Sequence, residues 1–260
     1  MITSNSNERI RSVIHLISDT KTRKEKGLFV AEGEKMFLEA PTELIKEVYV
    51  SERHAENCTG EIREKLEKTG YETVSAGVFD RMSDTKTPQG ILCVLRQRTA
   101  DPLKVIDEHK GRIGILITEG IQDPGNFGTM IRTAEGAGFD LIIADRKTVD
   151  LYNPKVIRAT MGSIYRMDIA YTNDLKETVR ALRQRNITVY AAHLKGEGYY
   201  NEEKYGDRNA FLIGNEGNGL SDEISALADK LIKIPMQGKV ESLNAAVAAA
   251  LLMYETGRRI

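Results

Sequence analysis

Tryptophan is absent, cysteine occurs twice, proline six times, and aromatic residues make up only 6 % of the 260 residues. The two cysteines, Cys58 and Cys93, are single and far apart, which excludes a disulfide framework and fits a reducing cytoplasm. Four histidines without a pair at metal-ligand spacing exclude a recognisable zinc site, so no metal is expected. Charge of one sign is also missing: 37 Lys and Arg face 38 Asp and Glu, so contact with a polyanion is confined to a local patch. Long apolar runs are missing as well. The longest, over 245–254, is too short to span a bilayer, and MITSNSNERI has no apolar core of an export signal, so a cytoplasmic protein without membrane association is expected. No internal repeat or low-complexity tract is present.

What the chain does have is length enough for two ordinary domains and a regular alternation of short apolar runs with helical patterns. Ile10, Val13, Ile14 and Ile17 recur at helical spacing and predict a helix over 7–20, followed by a charged loop, KTRKEKG. Strands are expected at 28–30, 47–50, 72–75 and 91–95, with helices over 32–41 and 59–68, and a polar loop at 81–90. These form a small α/β module over residues 1–98. Lys21, Arg23, Lys24, Lys26 and Lys86 are cations on loops and candidates for phosphate contact, against the plain alternative of a solvated turn. Residues 99–110 read as a linker whose short helix starts at the Asp101-Pro102 pair. From 111 to 260, strands at 114–118, 141–143, 188–192, 211–213 and 231–234 alternate with helices over 127–137, 153–161, 173–185 and 245–253. That alternation predicts a mostly parallel sheet with helices on both faces.

Two late strands each lead into a loop rich in Gly, Asn and Ser, and open α/β sheets keep their sites at strand ends. In Gly214-Asn215-Glu216-Gly217-Asn218-Gly219 three glycines surround one carboxylate, allowing a tight turn and close approach of backbone to a ligand. The second loop, over 235–244, runs into an alanine-rich helix with Ser242 at the expected N-cap, and small side chains there suit close packing by another helix or a second subunit.

IGNEG, then IPM, then SLNAAVAAA, preceded by GIQDPGNFGTMIRTAEGAG, resemble the three motifs of the SpoU or TrmH family of RNA ribose methyltransferases, part of the SPOUT superfamily. The three stand in the family's order and spacing across the second domain. The resemblance implies an α/β catalytic domain with a C-terminal trefoil knot, S-adenosylmethionine as methyl donor, and RNA, ribosomal RNA first and transfer RNA second, as substrate. It also implies a homodimer with each site near the subunit interface, and a ribosomal-protein-like RNA-binding domain in the N-terminal module. Carried over by position, the catalytic candidates are Asn126, Arg132, Glu216, Ser242 and Asn244. Gly214, Ile234 and Leu243 match positions whose backbone holds the adenosine, with Met236 and His193 as further pocket candidates.

Methyl transfer to a ribose hydroxyl needs the two partners held in line and a route for the hydroxyl proton. A guanidinium has no acceptor, so Arg132 is expected to clamp a phosphate and stabilise the developing alkoxide, with proton removal by solvent or Glu216. Each candidate has a plain alternative. Arg132 is open to pairing with Glu135 or Glu119, Asn126 to acting as a helix N-cap, Glu216 to being a solvated loop acid, and Ser242 and Asn244 to starting the last helix. His193 alone is more often structural. A doubly wound dinucleotide-binding oxidoreductase is disfavoured because no strand is followed by G-x-G-x-x-G. A non-catalytic RNA-binding protein of the same fold is disfavoured by the joint presence of the five catalytic candidates.

Overall fold

Short apolar runs, set between helices most of which begin at Asp, Asn or Ser, fold into two separate sheets. The computed structural model describes residues 1–196 and 198–257. Its compact units are Met1–Arg98 with Asp150–Tyr165, and Thr99–Val149 with the described part of Arg166–Ile260.

In the first unit, α1 (Glu8–Ser18) starts where the Asn7 side chain accepts from Arg9 N, and it buries Ile10, Val13 and Leu16. KTRKEK is not a loop. Asp19 accepts from Lys21 N and Thr22 N and so caps a further helix, α2 (Thr20–Lys26). Arg23 is thereby removed from the RNA-facing candidates. Its side chain is 2 % exposed, pairs with Asp150 at 2.7 Å, and donates to the carbonyls of Leu16 and Ile17 and to Thr20 Oγ1. The other cations stay exposed: Lys21 pairs with Glu25, Lys26 donates to Ser12 Oγ, and Lys24 and Lys86 project from the surface. After these come β1 (Leu28–Glu32), α3 (Glu34–Glu39), β2 (Ile45–Ser51), α4 (Glu52–Asn57), α5 (Gly60–Thr69), β3 (Glu72–Val74), α6 (Ala76–Met82) and β4 (Ile91–Arg96). The sheet order is β1-β4-β2-β3, antiparallel except between β2 and β3. Tyr49, Leu92, Phe79 and Met82 fill its core beneath α1.

The second unit opens with α7 (Pro102–Glu108), capped by Asp101 as its Asp-Pro pair predicts. Ile106 is buried in the core and Leu103 and Val105 pack against it, so residues 99–110 are part of this unit rather than a linker. There follow β5 (Ile113–Thr118), α8 (Pro124–Gly136) and β6 (Leu141–Asp145). The chain then contributes Asp150–Tyr165, carrying α9 (Pro154–Thr160), to the first unit, where Asp150 meets Arg23. It continues through β7 (Asp168–Thr172), α10 (Leu175–Gln184), β8 (Thr188–Ala192), β9 (Gly198–Tyr199), β10 (Arg208–Ile213), α11 (Asp222–Ser225), β11 (Lys230–Lys233) and α12 (Ala245–Gly257).

The large sheet runs β7-β6-β5-β10-β8-β11-β9, and every pairing is parallel. Its central strands are apolar on both faces, as in β5, where all six residues are buried, because helices cover both sides. From β5 the chain goes to β6 and β7 on one side, while β10, β8 and β11 lie on the other. The crevice beside β5 and β10 is thus a topological switch point, where such sheets bind ligands at the carboxyl ends of their strands. Ile213 stands opposite Thr118, so the two chains leave their strands side by side.

Candidate active site at the carboxyl ends of the parallel strands

Helix α8 begins three residues earlier than its apolar pattern predicts, because Asp123 accepts from Asn126 N and Pro124 occupies the first helical position. Asn126 is therefore inside the first turn and is not the N-cap. Its amide is free to work sideways, and it does. Asn126 Nδ2 donates to Glu216 Oε1 at 3.1 Å, and Asn126 Oδ1 accepts from Asn244 Nδ2 at 2.8 Å. Asn244, not Ser242, caps α12: its Oδ1 accepts from Ala246 N at 2.9 Å and Val247 N at 3.2 Å. Since Asn244 Oδ1 must face those N–H groups, its Nδ2 must face Asn126, and the whole chain of amides has one polarity.

Glu216 ends that chain. Its carboxylate also accepts from Gln122 N at 3.1 Å and Asp123 N at 3.0 Å, at the positive end of α8. Partial withdrawal from water pulls its pKa up. The donations from Asn126, Gln122 N and Asp123 N outweigh that pull and hold it below the ordinary glutamate range. Glu216 is carried on a closed turn in which Asn215 and Gly219 exchange backbone hydrogen bonds at 3.0 and 2.9 Å. Asn215 Oδ1 accepts from Gly217 N and Asn218 N, while its Nδ2 reaches Gly120 O at 2.7 Å. A Cβ at Gly214 would lie 2.1 Å from the Gly219 carbonyl carbon and the Leu220 nitrogen, so glycine is needed there for the turn to close upon itself.

Beside this turn is an open cleft of about 460 Å³ lined by Gly214, Ile234, Met236, Ser242, Leu243 and His193 among others. All five cofactor candidates face it, as do Glu216 and Ser242. His193 also has a local role, accepting from Lys195 N at its Nδ1, which leaves Nε2 as the protonated nitrogen of the neutral ring. Arg132 is not among the lining residues. Six residues along a helix rotate it about 120° away from Asn126, and it is exposed without a hydrogen bond or ion pair to any described residue. Neither alternative partner is used: Glu135 binds Arg166 with both oxygens, and Glu119 accepts from Ser221 N and Oγ.

The residues missed in the sequence are Gln122 and Asp123, which act through backbone N–H groups, and Asn215. For Asp123 a signal existed, since Asp123-Pro124 repeats the pairing that marks α7 at Asp101-Pro102 and resembles Asn153-Pro154 at α9. The rest carries no signature in one chain.

Residues 114–254 match the model of the SpoU rRNA Methylase family, more than half of the chain. The chain belongs to the SpoU rRNA methylase family. Residues 7–93 match the MRM3-like substrate binding domain. The chain is 33 % identical over 238 residues, 90 % of each protein, to the 23S rRNA (guanosine(2553)-2′-O)-methyltransferase RlmP of Bacillus subtilis. It is 29 % identical to the 23S rRNA (guanosine-2′-O-)-methyltransferase RlmB of Bordetella pertussis, over 84 % of this chain and 90 % of that one. An AdoMet-bound rRNA methyltransferase from Sinorhizobium meliloti superposes with a TM-score of 0.86 at 29 % identity, covering 100 % of this chain and 97 % of that chain.

The SpoU cleft of this chain fits S-adenosylmethionine by volume and chemistry. Its size falls in the roughly 300–1,000 Å³ range of small-molecule sites. Ile234, Leu243 and Met236 give an apolar wall for a purine, and the lining carries both signs of charge, Asp222 and Glu241 with Lys195 and Lys233, to meet a ligand that itself bears a sulfonium, an ammonium and a carboxylate. Among the described residues no His, Cys, Asp and Glu cluster could hold a metal, and no helix is long and apolar enough to cross a membrane.

Proposed function

We propose that the protein methylates a ribose 2′-hydroxyl of 23S ribosomal RNA in the cytoplasm, using S-adenosylmethionine held in the cleft beside β10, β8 and β11. The observation that carries this reading is the hydrogen-bonded chain of Asn244, Asn126 and Glu216, which joins the three motifs and borders that cleft at Glu216. When bound, S-adenosylmethionine supplies a methyl group on a sulfonium, with a good leaving group already in place.

The residues divide the remaining work. Asn126 and Asn244 each keep one amide hydrogen outside the chain, and these are directed to the incoming ribose or its phosphate. Glu216 fixes Asn126. Its lone pairs are occupied by Asn126 and two backbone N–H groups, with Asn215 Nδ2 at 3.4 Å, so it is a poor acceptor for the hydroxyl proton, which passes to solvent. Arg132 binds the phosphate beside the target nucleotide and stabilises the alkoxide. Ser242 contacts substrate from the loop before α12, and backbone groups of Gly214, Ile234 and Leu243 hold the adenosine, flanked by Met236 and His193.

The N-terminal unit binds RNA through Lys21, Lys24, Lys26 and Lys86, in keeping with its similarity to a substrate binding domain. A second copy of the chain covers the outer face of α8 and α12, where Val247 and Tyr254 are 48 % and 52 % exposed. Arg132 belongs to that face. A Cβ on Gly136, one turn further along α8, would lie 3.0 Å from the Tyr254 hydroxyl. The knotted C-terminal segment is proposed on family resemblance.

The test is transfer of labelled methyl from S-adenosylmethionine to ribosomal and transfer RNA fractions, with Asn126→Ala as the control. Methylation confined to 23S rRNA and lost in the variant is the expected result. Label in transfer RNA alone would move the substrate, and no label in any RNA would remove the function.

A further inference from the structure

Four successive N–H groups of the loop after β5 are divided between the Glu216 carboxylate and a buried Asp145–Thr148 pair. Gln122 N and Asp123 N point to Glu216, as described. The two before them point the other way, into the protein: Gly120 N donates to Asp145 Oδ1 at 2.9 Å, and Ile121 N donates to Thr148 Oγ1 at 3.3 Å. Asp145 and Thr148 form one buried unit, since Asp145 Oδ1 also accepts from Thr148 N at 2.9 Å and Thr148 Oγ1 at 2.7 Å. Thr118 Oγ1 lies 3.3 Å from Thr148 Oγ1 and donates to it, because the Thr148 proton is committed to Asp145. Ile121 O is held in turn by Val149 N at 2.8 Å. Gly120 takes a φ of +67°, a conformation open to glycine, at the turn that carries the two inward donors away from β5.

We propose that Asp145 and Thr148 are positioning residues for methyl transfer, setting the direction of the Gln122 and Asp123 N–H groups and, through Glu216, the orientation of the Asn126 amide. The inference rests on the proposed function for its activity readout. Neither residue lines the cleft, so neither touches cofactor. Each is buried, 9 % exposed for Asp145 and 5 % for Thr148, and the turn holding them follows β6, next to β5 in the sheet. With the inward pair of bonds broken, the loop is free to rotate and the outward pair loses its aim. A displacement of that kind costs on the order of 100-fold in rate when reacting groups move by an ångström.

The experiment compares Thr148→Val, Thr148→Ser and Asp145→Asn in the full chain. Valine keeps the shape and removes both the acceptor for Ile121 N and the donor to Asp145; serine restores them; asparagine keeps the acceptor oxygen and removes the charge. Amide hydrogen exchange at Gln122 and Asp123 is read by NMR, beside kcat for RNA methylation and the Kd for S-adenosylmethionine. Expected for valine are exchange at 122 and 123 at least about tenfold faster, kcat lower by about 10- to 100-fold, and cofactor Kd within about twofold of wild type. Serine returns all three to wild type, and asparagine falls between. Unchanged exchange at 122 and 123 in the valine variant overturns the inference, as does a cofactor Kd that worsens in step with kcat. Should valine not fold, Asp145→Asn decides by the same two readings. A wild-type protein that transfers no methyl defeats the proposed function alone, with the exchange pattern still deciding whether these residues aim the loop.

Discussion

Glu216 meets three firm donors within one residue's reach, so its charged form is favoured in the folded state. With its pKa held below the ordinary 4.5, the stabilisation it contributes is fully present above that value and is lost as pH falls through the folded value. Acid titration of unfolding therefore shows a component below pH 4.5 that Glu216→Gln lacks: the wild-type curve, followed by circular dichroism, is the steeper one there, and the two stabilities draw together as pH falls. A basic residue gives the opposite lesson. Arg23 looks in the sequence like any cation of KTRKEK, yet it is 2 % exposed against an Asp150 side chain that is 14 % exposed. Arg23→Met leaves that carboxylate buried without its partner and costs about 3–5 kcal/mol in urea unfolding, whereas Lys24→Ala leaves stability within about 0.5 kcal/mol. Equal stabilities for the two variants would show that the Arg23 pair does not hold α2 in place. Arg132→Ala lowers methyl transfer by at least about 100-fold with cofactor affinity unchanged. Arg132→Lys keeps the charge but not the fork, and partial recovery in that variant is the mark of a phosphate clamp. Complete loss in the lysine variant, with RNA affinity intact, would speak for a role beyond the clamp.

At the scale of elements, the start of α12 carries two duties on one side chain. Asn244 Oδ1 caps the helix and Nδ2 orients Asn126. Asn244→Ala loses both, about 1 kcal/mol of stability and the aim of Asn126. Asn244→Asp keeps an acceptor for Ala246 N and Val247 N but has no donor for Asn126 Oδ1, so the Asn126 amide is driven to turn over and release Glu216. Stability near wild type with activity near that of the alanine variant is the expected split, read by thermal unfolding and labelled-methyl transfer. If the aspartate variant is as active as wild type, the amide chain has no part in the reaction. Helix starts were legible where an Asp-Pro or Asn-Pro pair marks them, as at α7 and α9. Short helices such as α4 and α6, and the edge strand β7, were not read, because five to seven residues of mixed polarity show no periodicity.

For the whole molecule, the outer face of α12 carries the proposed contact with a second copy. Val247 and Tyr254 lie seven residues apart on one stripe, half exposed, beside the face of α8 that bears Arg132. Val247→Glu with Tyr254→Glu converts a dimer to a monomer in size-exclusion chromatography with light scattering, and methyl transfer falls with it. A wild-type protein that runs as a monomer at assay concentration would leave that face without its proposed partner.

The sequence alone determined the longer strands and helices around the parallel sheet, though not β7, β9 or α11, together with the loops that carry the candidate site and the family to which their residues point, since local periodicity, helix-start pairs and a linear motif are all properties of neighbouring residues. Only the tertiary structure decided that Arg23 is buried, that Asp150–Tyr165 belongs with the first unit, that Asn244 rather than Ser242 caps α12, and that Glu216 is bound by backbone N–H groups. Those outcomes depend on which segments, tens of residues apart in the chain, are brought within hydrogen-bonding distance of one another, and on how many donors then crowd one carboxylate.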